Sequence, residues 1–213
     1  MIKLIILDFD GVIVESVGIK TQAFKELFKD QPELIVPFID YHLKNNGKSR
    51  FAKFEWLYQH ILKKPLPPEE KAALGEKFSQ LVYQKVIECP YVDGAIDLLE
   101  EFYNVLPIYV ASITPQAELE SIIEKRKITK YFKNVMGGIG NKAELIDQIL
   151  QLEGIDHENV LFVGDTMEDY RAAQETGVNF FARVKQEKFE GIPVKKDENM
   201  RGVSRYLKEN SAI

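Results

Sequence analysis

The chain has 213 residues, 45% hydrophobic and 29% charged, with a net charge of −5. That length suits one globular domain, or a core carrying a smaller insertion, and buries roughly 70% of the unfolded surface without staples. The acidic balance argues against a nucleic-acid partner, whose phosphates reward dense positive charge, but local cations still permit an anionic substrate.

In chain order, residues 3–8 read as a buried strand of aliphatic residues that ends on Asp8, with Asp10 two positions on. The apolar start meets these acids too soon for a secretory signal, which needs ~7–15 apolar residues and a cleavage site. No stretch reaches the ~18–20 apolar residues of a membrane span, so a cytoplasmic protein that does not engage membranes is expected. Residues 21–29, 32–43, 50–62 and 68–87 follow a helical period, separated by turn-like breaks at 30–32, 45–47 and 64–67. The aromatics Phe51, Phe54, Trp56 and Tyr58 of this region read as its own small core. Cys89, the single cysteine, precedes Pro90 at a boundary; it allows no intramolecular disulfide and reads as a structural thiol.

Beyond it, residues 106–112 and 160–165 read as further buried strands, with helices at 115–127, 142–153 (closed by Gly154) and 169–176 (ended by Gly177). A strand at 179–184, a short strand at 192–194 and a helix at 203–209 complete the pattern. Strands alternating with helices predict an α/β fold, a doubly wound parallel sheet (Rossmann-like) interrupted by a four-helix insertion. The predicted boundaries are 1–16 and 88–213 for the α/β core and 17–87 for the inserted domain.

Ligands of such sheets bind beyond the carboxyl ends of the strands. There the first strand delivers Asp8 and Asp10, the second Ser112 and Thr114, the third Asp165 with Asp169 four residues on. Clustered carboxylates repel unless a cation neutralises them, and an all-oxygen set suits a hard ion such as Mg2+. With a phosphate also present, Asp8 could attack phosphorus while Asp10 moves protons to the leaving group and from water. Ser112 and Lys142 suit the phosphate oxygens, Lys142 because it opens a helix after Gly137-Gly138-Ile139-Gly140-Asn141. Singly, each piece has a plainer reading: an Asp at a strand end, a solvated helix lysine, an Asp capping a helix. Together they stand in one order, each at the correct end of its element.

Asp8-Phe9-Asp10-Gly11-Val12, Ser112, Lys142 and Gly164-Asp165-Thr166-Met167-Glu168-Asp169 resemble, in order, the four motifs of the haloacid dehalogenase-like superfamily. The resemblance spans nearly the whole chain, the insertion standing where that family carries an α-helical cap domain. It implies Mg2+ held by the Asp8 carboxylate, the Asp10 carbonyl and Asp165, with Asp169 supporting the site. Asp10 favours phosphoryl transfer, because the dehalogenases lack the second aspartate.

Gly47-Lys48-Ser49-Arg50 is similar to the cap loop of the β-phosphoglucomutase-like branch, where an arginine meets the substrate's distal phosphate. Lys48, Arg50, Thr114 and Lys20 are therefore possible substrate-binding residues, although Ser49 also reads simply as a helix cap. Lys20 stands where the mutases have histidine and Pro115 where they have lysine, which favours hydrolysis over a phosphomutase. The implied enzyme is a phosphatase of a small phosphorylated metabolite, such as a sugar phosphate or a phosphoglycolate-like acid. It is expected to be a monomer or small homo-oligomer. A catalytically silent binding domain is the alternative of another class. His42, His60 and His157 show no metal spacing and read as surface or cap residues.

Overall fold

The computed structural model describes residues 1–138, 140–184 and 189–211. Ile139 of the glycine-rich stretch lies outside the described residues. The strands are β1 (Leu4–Leu7), β2 (Ile108–Ser112), β3 (Asn134–Gly137), β4 (Val160–Gly164), β5 (Asn179–Arg183) and β6 (Lys195–Asp197). They form one parallel sheet in the order β3-β2-β1-β4-β5-β6.

Every residue of β1, β2 and β4 is buried, as a parallel sheet covered on both faces requires. The two-residue period of a strand then sorts side chains into two layers. Ile5, Leu7, Ile108, Val110, Leu161 and Val163 share one core with α5 (Ala95–Phe102), α6 (Gln116–Lys125) and α9 (Met200–Asn210). Leu4, Ile6, Tyr109, Ala111, Val160 and Phe162 pack with α7 (Lys142–Glu153) and α8 (Met167–Thr176). The fold is therefore the doubly wound α/β architecture that the alternating pattern predicts. From β1 the chain runs outward to β2 and β3, then crosses to β4 on the other side of β1. That reversal makes the carboxyl end of β1 the switch point where such sheets hold ligands.

Between β1 and β2 lie α1 (Val17–Leu27), α2 (Pro32–Lys44), α3 (Arg50–Leu57) and α4 (Pro68–Glu88). Their shared interior is aromatic: Phe24 meets Phe38 edge-on at 5.1 Å, Phe54 at 5.9 Å and Phe78 at 4.4 Å between ring centres. Trp56 instead stacks outside on Tyr41, 3.8 Å away.

Several expected boundaries differ. The expected helix 50–62 changes winding at Tyr58–Leu62, a wider π-helical turn that ends in left-handed Lys63. The last strand lies at Lys195–Asp197 rather than 192–194, because pairing with β5 rather than apolar content selects it. β3 and α5 are absent from the sequence reading. β3 is a short edge strand with an exposed Asn134, and α5 is only eight residues long. No described helix is long and apolar enough to cross a membrane.

Candidate active site

The turn after β1 places Asp8 and Asp10. Gly11 takes φ +78°, and a Cβ there would meet Asp165 Oδ2 at 2.7 Å, so this turn approaches the β4 loop more closely than a side chain allows. Asp8 is buried, its Oδ1 accepting from the Phe9 N–H at 2.7 Å and its Oδ2 lying 2.6 Å from Lys142 Nζ. Lys142 stands in the first turn of α7, which Asn141 caps through the Ala143 N–H. It is 4% exposed and also pairs with Asp169.

On the far side, Thr166 and Asp169 form a reciprocal capping box at the start of α8. One Asp169 oxygen takes Lys142, and the other accepts from the N–H groups of Asp165 and Thr166 and from the Thr166 hydroxyl. Both Asp169 oxygens are thus already engaged within the protein.

Asp8, Asp165 and Asp169 each bring an oxygen within 4.8 Å of the others. Burial and the neighbouring Asp169, Asp165 and Asp10 raise the Asp8 carboxyl, against the opposing pull of Lys142. Burial would lower Lys142, but Asp169 and Asp8 outweigh it and raise the ammonium. Lys142 thus pairs with both Asp8 and Asp169, and a further cation among these crowded oxygens would ease their mutual repulsion. Hard oxygen donors of this kind fit a divalent ion of the magnesium type.

Asp10 turns the other way. Its Oδ1 accepts from Ser16 Oγ at 2.5 Å, and its Oδ2 accepts from Thr114 Oγ1 at 3.2 Å and pairs with Lys20. Burial opposes its ionisation, but Lys20, Ser16 and Thr114 together hold it below the usual carboxylate range. Ser112 ends β2 fully buried, its Oγ accepting from the Thr114 N–H at 3.2 Å.

These groups surround a chamber lined by Asp8, Asp10, Lys20, His42, Asn46, Gly47, Lys142, Asp165 and Thr166 among others. Ile113, not Ser112, represents the end of β2 in that lining. The α2–α3 loop closes the roof, where a Cβ on Gly47 would meet Thr166 Oγ1 at 2.5 Å.

The remaining predicted residues are placed differently from one another. Arg50 is buried and committed: both its terminal nitrogens reach Glu118 of α6, at 3.0 and 2.7 Å, and one also donates to Ser79 Oγ at 2.6 Å. Lys48 is exposed beside the Tyr41 hydroxyl at 3.3 Å. Sequence reasoning missed Lys53 and His42, both buried in the roof. The available signal was helical spacing, since Lys53 lies on the same side of α3 as Arg50 and Leu57, both core-facing.

A family model described as haloacid dehalogenase-like hydrolase matches residues 5–183. A phosphoglycolate phosphatase of Aliivibrio fischeri is 24% identical over 191 residues, covering 85% of this chain and 83% of that protein. The phosphoglycolate phosphatase of Escherichia coli K12 is 30% identical over 122 residues, a match spanning 48% of that protein's length. Among solved structures, β-phosphoglucomutase of Clostridium difficile superposes with a TM-score of 0.80 at 17% identity, over 98% of this chain and 96% of that one.

Proposed function

The chain belongs to the haloacid dehalogenase-like hydrolase family and is a phosphatase, and we propose that it hydrolyses a small phosphate monoester through a phosphorylated Asp8. The observation that carries this reading is the convergence of Asp8, Lys142 and Asp165 at the switch point, with Asp10 on the opposite wall of the same chamber.

In the first step a carboxylate oxygen of Asp8 attacks phosphorus. The bond from phosphorus to the ester oxygen breaks, and that oxygen receives a proton from Asp10, which must first take one up against the pull of Lys20, Ser16 and Thr114. In the second step Asp10 takes a proton from water as the water oxygen attacks phosphorus, and the bond from phosphorus to Asp8 breaks to free inorganic phosphate. Lys142 and Ser112 hold the equatorial oxygens as charge shifts among them. Asp8, the Asp10 carbonyl and Asp165 would hold Mg2+, which supplies charge neutralisation at the phosphate oxygens. Asp169 orients Lys142 and the Asp165 loop rather than reaching the substrate.

Helices α1–α4 act as a cap, with boundaries near residues 17 and 87. Closed over the sheet, they exclude water from the acyl phosphate. In the phosphomutase alternative a histidine would stand at position 20, and Lys20 occupies that place.

The test is phosphate release from a panel of phosphorylated metabolites with magnesium and with a chelator. Release that magnesium restores after chelation supports the reading. Release that ignores chelation, or that survives Asp8→Asn, overturns the mechanism.

A further inference from the structure

A second, narrow pocket adjoins the first and shares Lys20, Asn46 and Ile113 with it. Its wall adds Lys48, Arg50, Lys53 and Thr114 along with Phe24 and Phe78, so among the described residues four cations and no carboxylate line it. Two of those cations are already matched, Lys20 by Asp10 and Arg50 by Glu118. Lys48 extends toward solvent.

Lys53 is different. It is 3% exposed, and no carboxylate forms an ion pair with it among the described residues. Its ammonium meets neutral groups, donating to His42 Nδ1 and the Asn46 carbonyl, each at 3.1 Å, and lying 5.6 Å from the centre of the Phe24 ring. An ammonium has three N–H donors, so one is left over. His42 cannot share the charge. With Nδ1 accepting from Lys53, its Nε2 donates to Thr21 Oγ1 at 2.9 Å, and that hydroxyl donates to the Val17 carbonyl at 3.2 Å. Asn46 Oδ1, in the wall between the chambers, is buried without a partner among the described residues. A buried, unpaired cation is costly unless something arrives to match it.

We propose that Lys53 receives a second anionic group of the substrate, so that the preferred ester carries phosphate at one end and a carboxylate or second phosphate at the other. This rests on the phosphatase reading of the first chamber. Asn46 Oδ1 accepts from a hydroxyl between the two ends, and His42 is a positioning residue that aims the ammonium. Arg50 does not fill this role, because Glu118 already holds it. Facing Lys53 are Lys20 of α1, His42 of α2, Arg50 of α3, Glu168 of α8 and Asp10. Burial and then Lys20 lower its ammonium to about 7, against the upward pull of Glu168 and Asp10. An arriving anion raises it again, so binding takes up a proton at neutral pH.

The experiment compares kcat/KM for a phosphorylated hydroxy acid, a sugar bisphosphate and p-nitrophenyl phosphate, using the full chain, Lys53→Met and Lys53→Arg. Lys53→Met should lose about 10- to 100-fold on an ester with a second anion, chiefly through KM, from the loss of one charged hydrogen bond. The loss on the aryl ester should be at least tenfold smaller. The wild-type preference for the doubly charged ester should decline between pH 6 and 9, while Lys53→Arg keeps it. Whichever of the two charged esters responds identifies the far group. Equal losses on all three esters, or no loss, overturn the proposal, with thermal unfolding excluding a misfolded variant. If no ester releases phosphate, the phosphatase reading fails instead. Calorimetric binding of the same two charged esters to wild type and Lys53→Met then decides the role of Lys53: weaker binding to the variant supports it, and equal binding overturns it.

Discussion

The two adjoining chambers differ in what fixes them and in their sign of charge. The first is built on strand ends: Asp8, Asp165 and Lys142 follow β1, β4 and the start of α7, and their positions derive from the sheet. The second is built on helices α1, α3 and α4 and is lined by cations. One end gathers acids that a metal ion would neutralise, and the other gathers bases that an anion would match. A ligand reaching both would complete two half-balanced sites at once, which makes the space between sheet and helices selective as well as reactive.

The strongest way to break that division is Asp8→Asn. If Asp8 is the nucleophile, phosphate release should fall by roughly 10⁴-fold or more in single-turnover or steady-state assays. Because it also removes one crowded carboxylate, the folded protein should stay intact by circular dichroism. A variant that keeps more than a hundredth of the rate would mean that the acids serve only to bind.

Next is the seam between the two layers, the Arg50–Glu118 pair, whose side chains are 6% and 11% exposed. Removing one partner of such a buried pair costs about 3–5 kcal/mol. Glu118→Ala should therefore lower the urea midpoint strongly. It also strands Arg50 in the basic chamber, where an anion could capture it. A double variant, Arg50→Met with Glu118→Leu, should recover much of the loss. If Glu118→Ala leaves the midpoint within error, the pair does not hold the helices to the sheet.

A smaller effect belongs to the acid end. If the crowded carboxylates form the metal site, magnesium at a hundred times its dissociation constant should stabilise the fold by about 2.7 kcal/mol. Asp165→Asn should abolish that gain, and Lys53→Met should not. A thermal shift that survives Asp165→Asn would place the ion elsewhere.

The same contrast explains what could be read from the sequence. Asp8 and Asp165 each terminate a run of buried aliphatic residues, and the run itself says which end of which element they occupy. Lys142 was legible as the first residue of a helix behind glycines. Lys53 and His42 gave no such cue, because a lysine on an amphipathic helix normally points to water. Only the packing of α1, α2 and α3 turns both inward. Arg50 was noticed for its loop motif, but its partner Glu118 lies 68 residues away and is visible only in three dimensions. The strand β3 was missed because Val135 and Met136 are flanked by Asn134 and a glycine run, too little apolar length to announce a strand.

The finest measure of the basic end is its response to acid. Burial, and then the charges of Lys53 and Lys20, lower His42 from 6.5 to about 3. Above pH 6.5 the ring is neutral folded or unfolded, so it contributes no pH dependence. Below that, the unfolded chain takes up a proton that the folded ring refuses, and stability falls until about pH 3. At pH 5 the loss from this group alone is about 2 kcal/mol. Comparing urea midpoints of wild type and His42→Gln at pH 7 and pH 5 isolates it, since the carboxylates contribute to both proteins. The wild type should lose more on acidification than the variant, whose amide oxygen can still accept from Lys53. Equal losses would mean that the roof opens enough at pH 5 to let His42 protonate in place, and then Lys53 is not held in a dry pocket.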